Sequence, residues 1–138
     1  MDEKIEKLIE KVRTIYSEND TEKIIKSLSI KNTVTTRVNT LKGGTYIQNP
    51  SSMIPVTELN PQEGEEILDL CAAPGSKTTL IADITKNNAR ITAVEKSKTR
   101  FFSLKRNLEN YGATNVRLIL ANGIGLEKRY PELINHFK

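Results

Sequence analysis

Ile67-Leu68-Asp69-Leu70-Cys71-Ala72-Ala73-Pro74-Gly75-Ser76-Lys77-Thr78 begins as an apolar run, passes through small residues and opens into a helical pattern. A short apolar run closed by turn residues reads as a buried strand, expected here over Glu66–Cys71. Pro74 suits a helix start, and the helix is expected from about Ser76 to Thr85. Strand-to-helix loops of this kind are where α/β folds bind ligands. Alanines and a glycine let a ligand approach the backbone closely, and unpaired N–H groups at the helix start favour an anionic group. The plainer reading is a tight turn with Lys77 in solvent. A phosphate-binding P-loop is excluded, because Ser76 separates Gly75 from Lys77 where that motif needs an unbroken Gly-Lys-Ser/Thr.

Downstream, the pattern predicts a strand at Arg90–Glu95, a helix at Lys98–Tyr111 and a strand at Val116–Ala121. Strands alternating with helices of ten or more residues imply parallel pairing through right-handed crossovers. The class is therefore α/β, with a doubly wound, Rossmann-like sheet. Ile67–Cys71 and Val116–Ala121 are nearly continuous in apolar residues, as strands buried on both faces should be. No segment after residue 121 reads as a strand for the free edge of the first, so the sheet reads as incomplete.

Upstream, Ile5, Leu8, Ile9, Val12 and Ile15 or Tyr16 fall at helical spacing, predicting an amphipathic helix over residues 2–16 that needs a partner for one face. Asp20 or Thr21 is placed to cap a second helix running to about Leu28. Ser27 to Lys31 then leads into a β-rich run from Thr33 to Thr40. Gly43-Gly44 breaks the pattern, and Asn49-Pro50-Ser51-Ser52 with Pro55 reads as a turn before a short helix up to Leu59. The division follows: a small helical and β segment at 1–45, and an incomplete α/β domain at 46–138.

Glu95 ends the second strand of the α/β pattern, where doubly wound folds place an acid for ribose hydroxyls. By itself it is equally a solvated acid paired with Lys96 or Arg100. Taken with the small-residue loop, it specifies an adenosine-type ligand with an anionic end. Asn122 closes the third strand, able to donate to and accept from an adenine edge, or to cap a helix before Gly123. Composition narrows the class: 37% hydrophobic and 28% charged residues suit a soluble globular chain. There is neither a membrane-length apolar run nor a secretory leader, and a cytoplasmic location is expected. One cysteine, Cys71, and one histidine, His136, give no basis for a disulfide or a metal cluster. The net charge of +4 permits nucleic-acid binding. Between Lys86 and Arg106 seven basic residues face Glu95 alone, a local +6.

Two stretches, Tyr46-Ile47-Gln48-Asn49-Pro50-Ser51-Ser52-Met53 and Leu68 to Thr78, closely resemble the RsmB/Nop/Sun family of S-adenosylmethionine-dependent RNA cytosine-5 methyltransferases. The resemblance spans about residues 33–122, taking in Arg37-Val38-Asn39-Thr40-Leu41-Lys42, Arg100, Asn107, Gly112 and Asn115-Val116. It implies that Cys71, Ala72, Ala73, Pro74, Gly75, Ser76 and Lys77 wrap the methionine end of S-adenosylmethionine, that Glu95 holds the ribose and that Arg100 supports the site. Asn122 stands where the family usually has Asp for the adenine contact, implying weaker affinity. Only Gly43, Gly44 and Thr45 separate Lys42 from Tyr46, a segment usually longer in the family and shaping its RNA-facing side. The implied partner is rRNA or tRNA.

The family reaction uses a cysteine thiolate that adds to the cytosine ring and a second cysteine for release. Their motifs, Pro-Cys-Ser-Gly and Thr-Cys-Ser, do not occur in these 138 residues. No catalytic residue is therefore assigned, and the expectation is a truncated or split enzyme whose remaining strands and cysteines come from a complementing C-terminal polypeptide. Cys71 is expected to be a buried free thiol of the cofactor loop. A non-catalytic RNA-binding module or family remnant is the alternative. A small-molecule methyltransferase shares the fold class but fits the Tyr46–Met53 stretch poorly.

Overall fold

A computed structural model of the chain describes residues 3–28, 30 and 34–137. In chain order the elements are α1 (Glu3–Ile15), α2 (Glu18–Leu28), β1 (Thr35–Val38), β2 (Thr45–Gln48), α3 (Ile54–Leu59), β3 (Glu66–Asp69), α4 (Ser76–Ile84), β4 (Arg90–Glu95), α5 (Lys98–Tyr111), β5 (Val116–Leu120) and α6 (Leu126–Arg129). Single 3-10 turns at Pro50–Ser52 and Pro131–Leu133 precede α3 and follow α6. The chain divides into two units, Met1–Thr33 and Val34–Lys138. The junction expected at residue 45 from the sequence falls at the start of β2. Asp2, Ser29, Lys31 and Thr33, included in the expected N-terminal stretches, lie outside the described residues.

In the first unit the helical periodicity becomes α1 and α2, yet Ile5, Leu8, Ile15 and Tyr16 remain exposed. The cap of α2 is Ser17 rather than Asp20 or Thr21. Its hydroxyl accepts the Asp20 N–H at 3.2 Å and donates to the Asp20 carboxylate at 2.8 Å, satisfying one of the donors a helix start leaves open. Thr21 lies one turn inside, buried.

In the second unit β3, β4 and β5 form a parallel sheet in that order, with Ile67 beside Ile91 and Ala93 beside Leu118. Alternation along the strands sorts side chains to two faces. Ile67, Ile91, Ala93 and Val116 meet Val56 of α3, Leu80 and Ile81 of α4 and Leu104 and Leu108 of α5. Val94 and Ile119, with Leu68 half-buried alongside, meet Leu126 and Leu133 from the segment after β5. The two-sided burial expected of β3 and β5 is therefore found only in β4, where five consecutive residues from Ile91 are buried. The other two are edge strands. Each lacks a neighbour on one side among the described residues, and Arg117 and Leu120 of β5 are exposed. Leu126–Phe137, for which no strand or helix is expected from the sequence, folds back across the second face, where His136 pairs with Glu66 at the start of β3.

β1 and β2 make an antiparallel ribbon whose tight loop uses Gly43 and Gly44, both at φ 85°. Only glycine adopts that conformation without cost, which explains how three residues suffice between Lys42 and Tyr46. Its inner face carries Arg37, which is 9% exposed. The guanidinium lies 4.8 Å from the Tyr46 ring centroid and 4.6 Å from that of Tyr111. It donates to Gln48 Oε1 at 3.3 Å, Asp83 Oδ2 at 3.2 Å, Thr79 Oγ1 at 2.7 Å and the Tyr111 hydroxyl. Tyr111 in turn donates to Asp83 at 2.9 Å, and Asn39 Nδ2 to the Tyr111 carbonyl at 2.9 Å. The ribbon is thereby fastened to α4 and α5 together. No described helix is long and apolar enough to cross a membrane.

Replacing Arg37 with Met leaves Asp83 buried without its cation and is expected to cost about 3–5 kcal/mol in chemical denaturation. Burial first, then the hydrogen bond to Asp83, holds the Tyr111 hydroxyl above the ordinary tyrosine range. A raised folded-state value adds stability that is complete below the unfolded value, about 10, and is lost as pH rises beyond it. Denaturation midpoints should accordingly fall above pH ~10 in the wild-type chain, and less steeply in Tyr111→Phe.

Candidate functional site

β3 ends at Asp69, and the loop behind it is held by that side chain. Asp69 is buried; one carboxylate oxygen accepts the Cys71 N–H at 3.2 Å, the other the Thr78 hydroxyl at 2.9 Å. Lys77 turns back over the loop, its ammonium 3.8 Å from Asp69 and donating to the Cys71 carbonyl at 3.0 Å. A buried carboxylate is thus matched by a cation and two donors. Ala72 bonds across to β4, N–H to the Val94 carbonyl at 3.1 Å, and Ala72 and Ala73 pack against Ala93 and Leu104. Asn107 donates to the Pro74 carbonyl at 2.8 Å and Arg100 to that of Ala73. Gly75 sits at φ 114°, where an added Cβ would lie 3.2 Å from the Leu104 side chain, so α5 and the loop approach as closely as a glycine allows.

At the C-terminal ends of all three parallel strands lies a cavity of about 380 Å³, lined by Leu70, Cys71, Glu95, Lys96, Arg100, Asn122, Gly123 and Ile124. This is the end of an open α/β sheet where ligands bind, and the volume falls within the small-molecule range. Glu95 is 4% exposed, its Oε1 accepting the Ser97 N–H at 2.9 Å and its Oε2 3.6 Å from Arg100. Two carboxylate oxygens offer about four acceptor positions, so this pairing leaves capacity toward the cavity. Asn122 Oδ1 accepts the Ile124 N–H at 3.1 Å, leaving its amide N–H₂ as donor. Leu70 and Ile124, both exposed, make apolar walls.

Of the residues read from the sequence, Cys71, Glu95, Arg100 and Asn122 come together around this cavity. Ala72, Ala73 and Gly75 are buried behind it as the packed body of the loop, and Pro74 is exposed. Ser76 faces Tyr46, the two hydroxyls 3.5 Å apart, and Lys77 belongs to Asp69. Cys71 is exposed rather than buried, because β3 ends two residues before it and the sheet no longer covers its side chain. Lys77 is half-buried instead of lying in solvent. Leu70, Lys96, Gly123 and Ile124 were not anticipated. Leu70, Lys96 and Gly123 each stand next to an expected strand-end residue and Ile124 stands two beyond Asn122, and that proximity is the signal that could have found them.

Residues 56–135 match the family described as 16S rRNA methyltransferase RsmB/F. A mouse 28S rRNA (cytosine-C(5))-methyltransferase is 39% identical over 97 residues, covering 70% of this chain and 12% of that protein. A tRNA (cytosine(72)-C(5))-methyltransferase of Pyrococcus horikoshii is 41% identical over 78 residues, covering 56% of this chain and 20% of that one. The chain thus spans a fifth or less of the length of these relatives. Among solved structures, PH0851 superposes with a TM-score of 0.74 at 26% identity, over 92% of this chain and 38% of its own. The Rossmann-like methyltransferase fold expected from the sequence is the fold observed.

Gly75→Ala forces a side chain into a left-handed conformation and against Leu104; a loss of about 1–3 kcal/mol in denaturation experiments is expected.

Proposed function

The chain belongs to the 16S rRNA methyltransferase RsmB/F family, and from that membership we propose that these residues form the S-adenosylmethionine-binding part of an RNA cytosine-5 methyltransferase. The observation that carries the reading is the buried carboxylate of Glu95, opening into the cavity beside the Cys71 loop. A buried acid with free acceptor positions fits the paired hydroxyls of a ribose.

The roles of the chain's own residues follow from their contacts. Glu95 accepts the ribose hydroxyls. Arg100 spans Glu95 and the Ala73 carbonyl, fixing the distance between acid and loop. Leu70 and Ile124 provide apolar surface for a flat heterocycle, and the free Asn122 amide N–H₂ donates to a ring nitrogen. Asp69 and Lys77 touch no ligand in this reading; they hold the loop in shape. S-adenosylmethionine, when bound, supplies an electrophilic methyl group. Adding a nucleophile to a cytosine ring requires a thiolate approaching the base. Cys71 lines the cofactor cavity, so the ring-adding and releasing cysteines are assigned to polypeptide outside these 138 residues. The RNA substrate, rRNA or tRNA, is assigned by kinship with relatives that act on each.

Calorimetric titration with S-adenosylmethionine tests the reading. Saturable binding is expected for the wild-type chain, weakened roughly tenfold to a hundredfold in Glu95→Ala, as loss of a charged hydrogen-bond acceptor implies. A wild-type chain that is folded yet takes up no cofactor refutes it.

A further inference from the structure

The outer face of α5 carries a feature that the cofactor site does not use. Lys98, Phe102 and Arg106 recur every four residues and so stand in one row along the helix. With Thr99 and Ser103 they line a shallow groove of about 420 Å³ that contains no acidic side chain. Phe102 is 56% exposed, although Leu104, Leu108 and Tyr111 bury the opposite face of the same helix. Phe101 supports it edge-on, the ring centroids 5.9 Å apart. Among the described residues, no ion pair or hydrogen bond engages the side chains of Lys98, Lys105 or Arg106.

Stability does not account for this arrangement. The first turn of α5 contains no acid; Arg100 there is paired with Glu95, which leaves Lys98 as the cation standing unexplained at the positive end of the helix dipole, where carboxylates are favoured. A face selected only to be solvated has no need of a large aromatic ring at its centre. Cations flanking an exposed ring are the elements that hold single-stranded nucleic acid: the ring stacks on a base, the cations meet phosphates. A second copy of the chain would bring the same positive row against itself, which like charge opposes.

We infer that the Lys98–Phe102–Arg106 face of α5 is a contact for single-stranded RNA, with one base stacked on Phe102 and the flanking phosphates on Lys98 and Arg106. The inference rests on the RNA methyltransferase reading and extends it. The groove and the cofactor cavity share the first turn of α5, the groove through Lys98 and Thr99 and the cavity through Arg100. RNA lying along the groove therefore approaches the cavity from the α5 side.

Fluorescence anisotropy with a short labelled oligouridine, at low and at physiological salt, tests it on the intact chain. Phe102→Ala should weaken binding about tenfold or more without changing the salt dependence, whereas Phe102→Trp, which keeps a π face, should retain it. The Lys98→Ala/Arg106→Ala double variant should flatten the slope of log affinity on log salt by roughly 0.7 for each cation removed. Since Phe102 is exposed and outside the cofactor cavity, S-adenosylmethionine binding by Phe102→Ala should equal that of wild type. Three results would overturn the inference: no oligouridine binding by the wild-type chain, equal binding by Phe102→Ala and the double variant, or a wild-type dimer that Phe102→Ala converts to monomer. Cofactor binding without RNA binding defeats this inference alone. RNA binding without cofactor binding defeats the cofactor reading and leaves the α5 contact standing.

Discussion

A single guanidinium, enclosed by two tyrosine rings and paired with one aspartate, sets the geometry of the larger unit. Arg37 arrives on β1, Tyr46 on β2, Thr79 and Asp83 on α4, and Tyr111 on α5, so four elements meet at one buried charge. Such a group is tolerated only when nearly every donor is matched. Because the matches come from different elements, the charge penalises any arrangement in which one of them shifts. α4 and α5 are the helices that begin beside the cavity. Fixing their far ends through Asp83 and Tyr111 restricts where their starts, with Gly75 and Arg100, can lie.

The sheet applies a complementary constraint. β4 is covered on both faces and paired on both sides, so it is the element with least freedom, and Glu95 is its last residue. Asp69 and Asn122 reach the same end of the sheet from edge strands. In the proposed cofactor site the acid is therefore carried by the strand best able to place it accurately. The loop after β3 is tied inward to that strand through Ala72 and to α5 through Pro74 and Ala73.

Much of this was legible in the residues. β4 and α5 have the bounds that periodicity indicates, because each combines an uninterrupted pattern with a clear stop: Lys96 and the capping Ser97 between them, Gly112 in a left-handed conformation after α5. Cys71, Glu95 and Asn122 are legible because strand ends are visible in sequence and parallel pairing brings them to one end of the sheet, whereas Arg100, inside α5, is marked only by the family resemblance. Other features were hidden for physical reasons. Apolar runs mark β3 and β5 as strands, but they carry no information about edge or centre. Arg37 reads as an ordinary strand cation, since its partners lie up to 74 residues away. Leu126, Tyr130, Leu133 and Phe137 cover the second face at intervals of four, three and four, a helical spacing, but Gly125 before them and Pro131 among them interrupt it, so it is realised only as the four-residue α6 and one 3-10 turn.

Among the described residues β3 is paired along one side only, and this bears on how the cavity responds to occupation. A strand paired along one side yields to local opening more readily than a central one, and here that strand carries the loop bearing Cys71. Glu95, across the cavity, stands on the most protected strand. A molecule gripping both would act as a brace between a yielding wall and a fixed one, and its binding energy would count toward keeping β3 docked. Resistance to heat would then rise with ligand concentration by mass action, so that the durability of the fold and the filling of its cavity become one equilibrium.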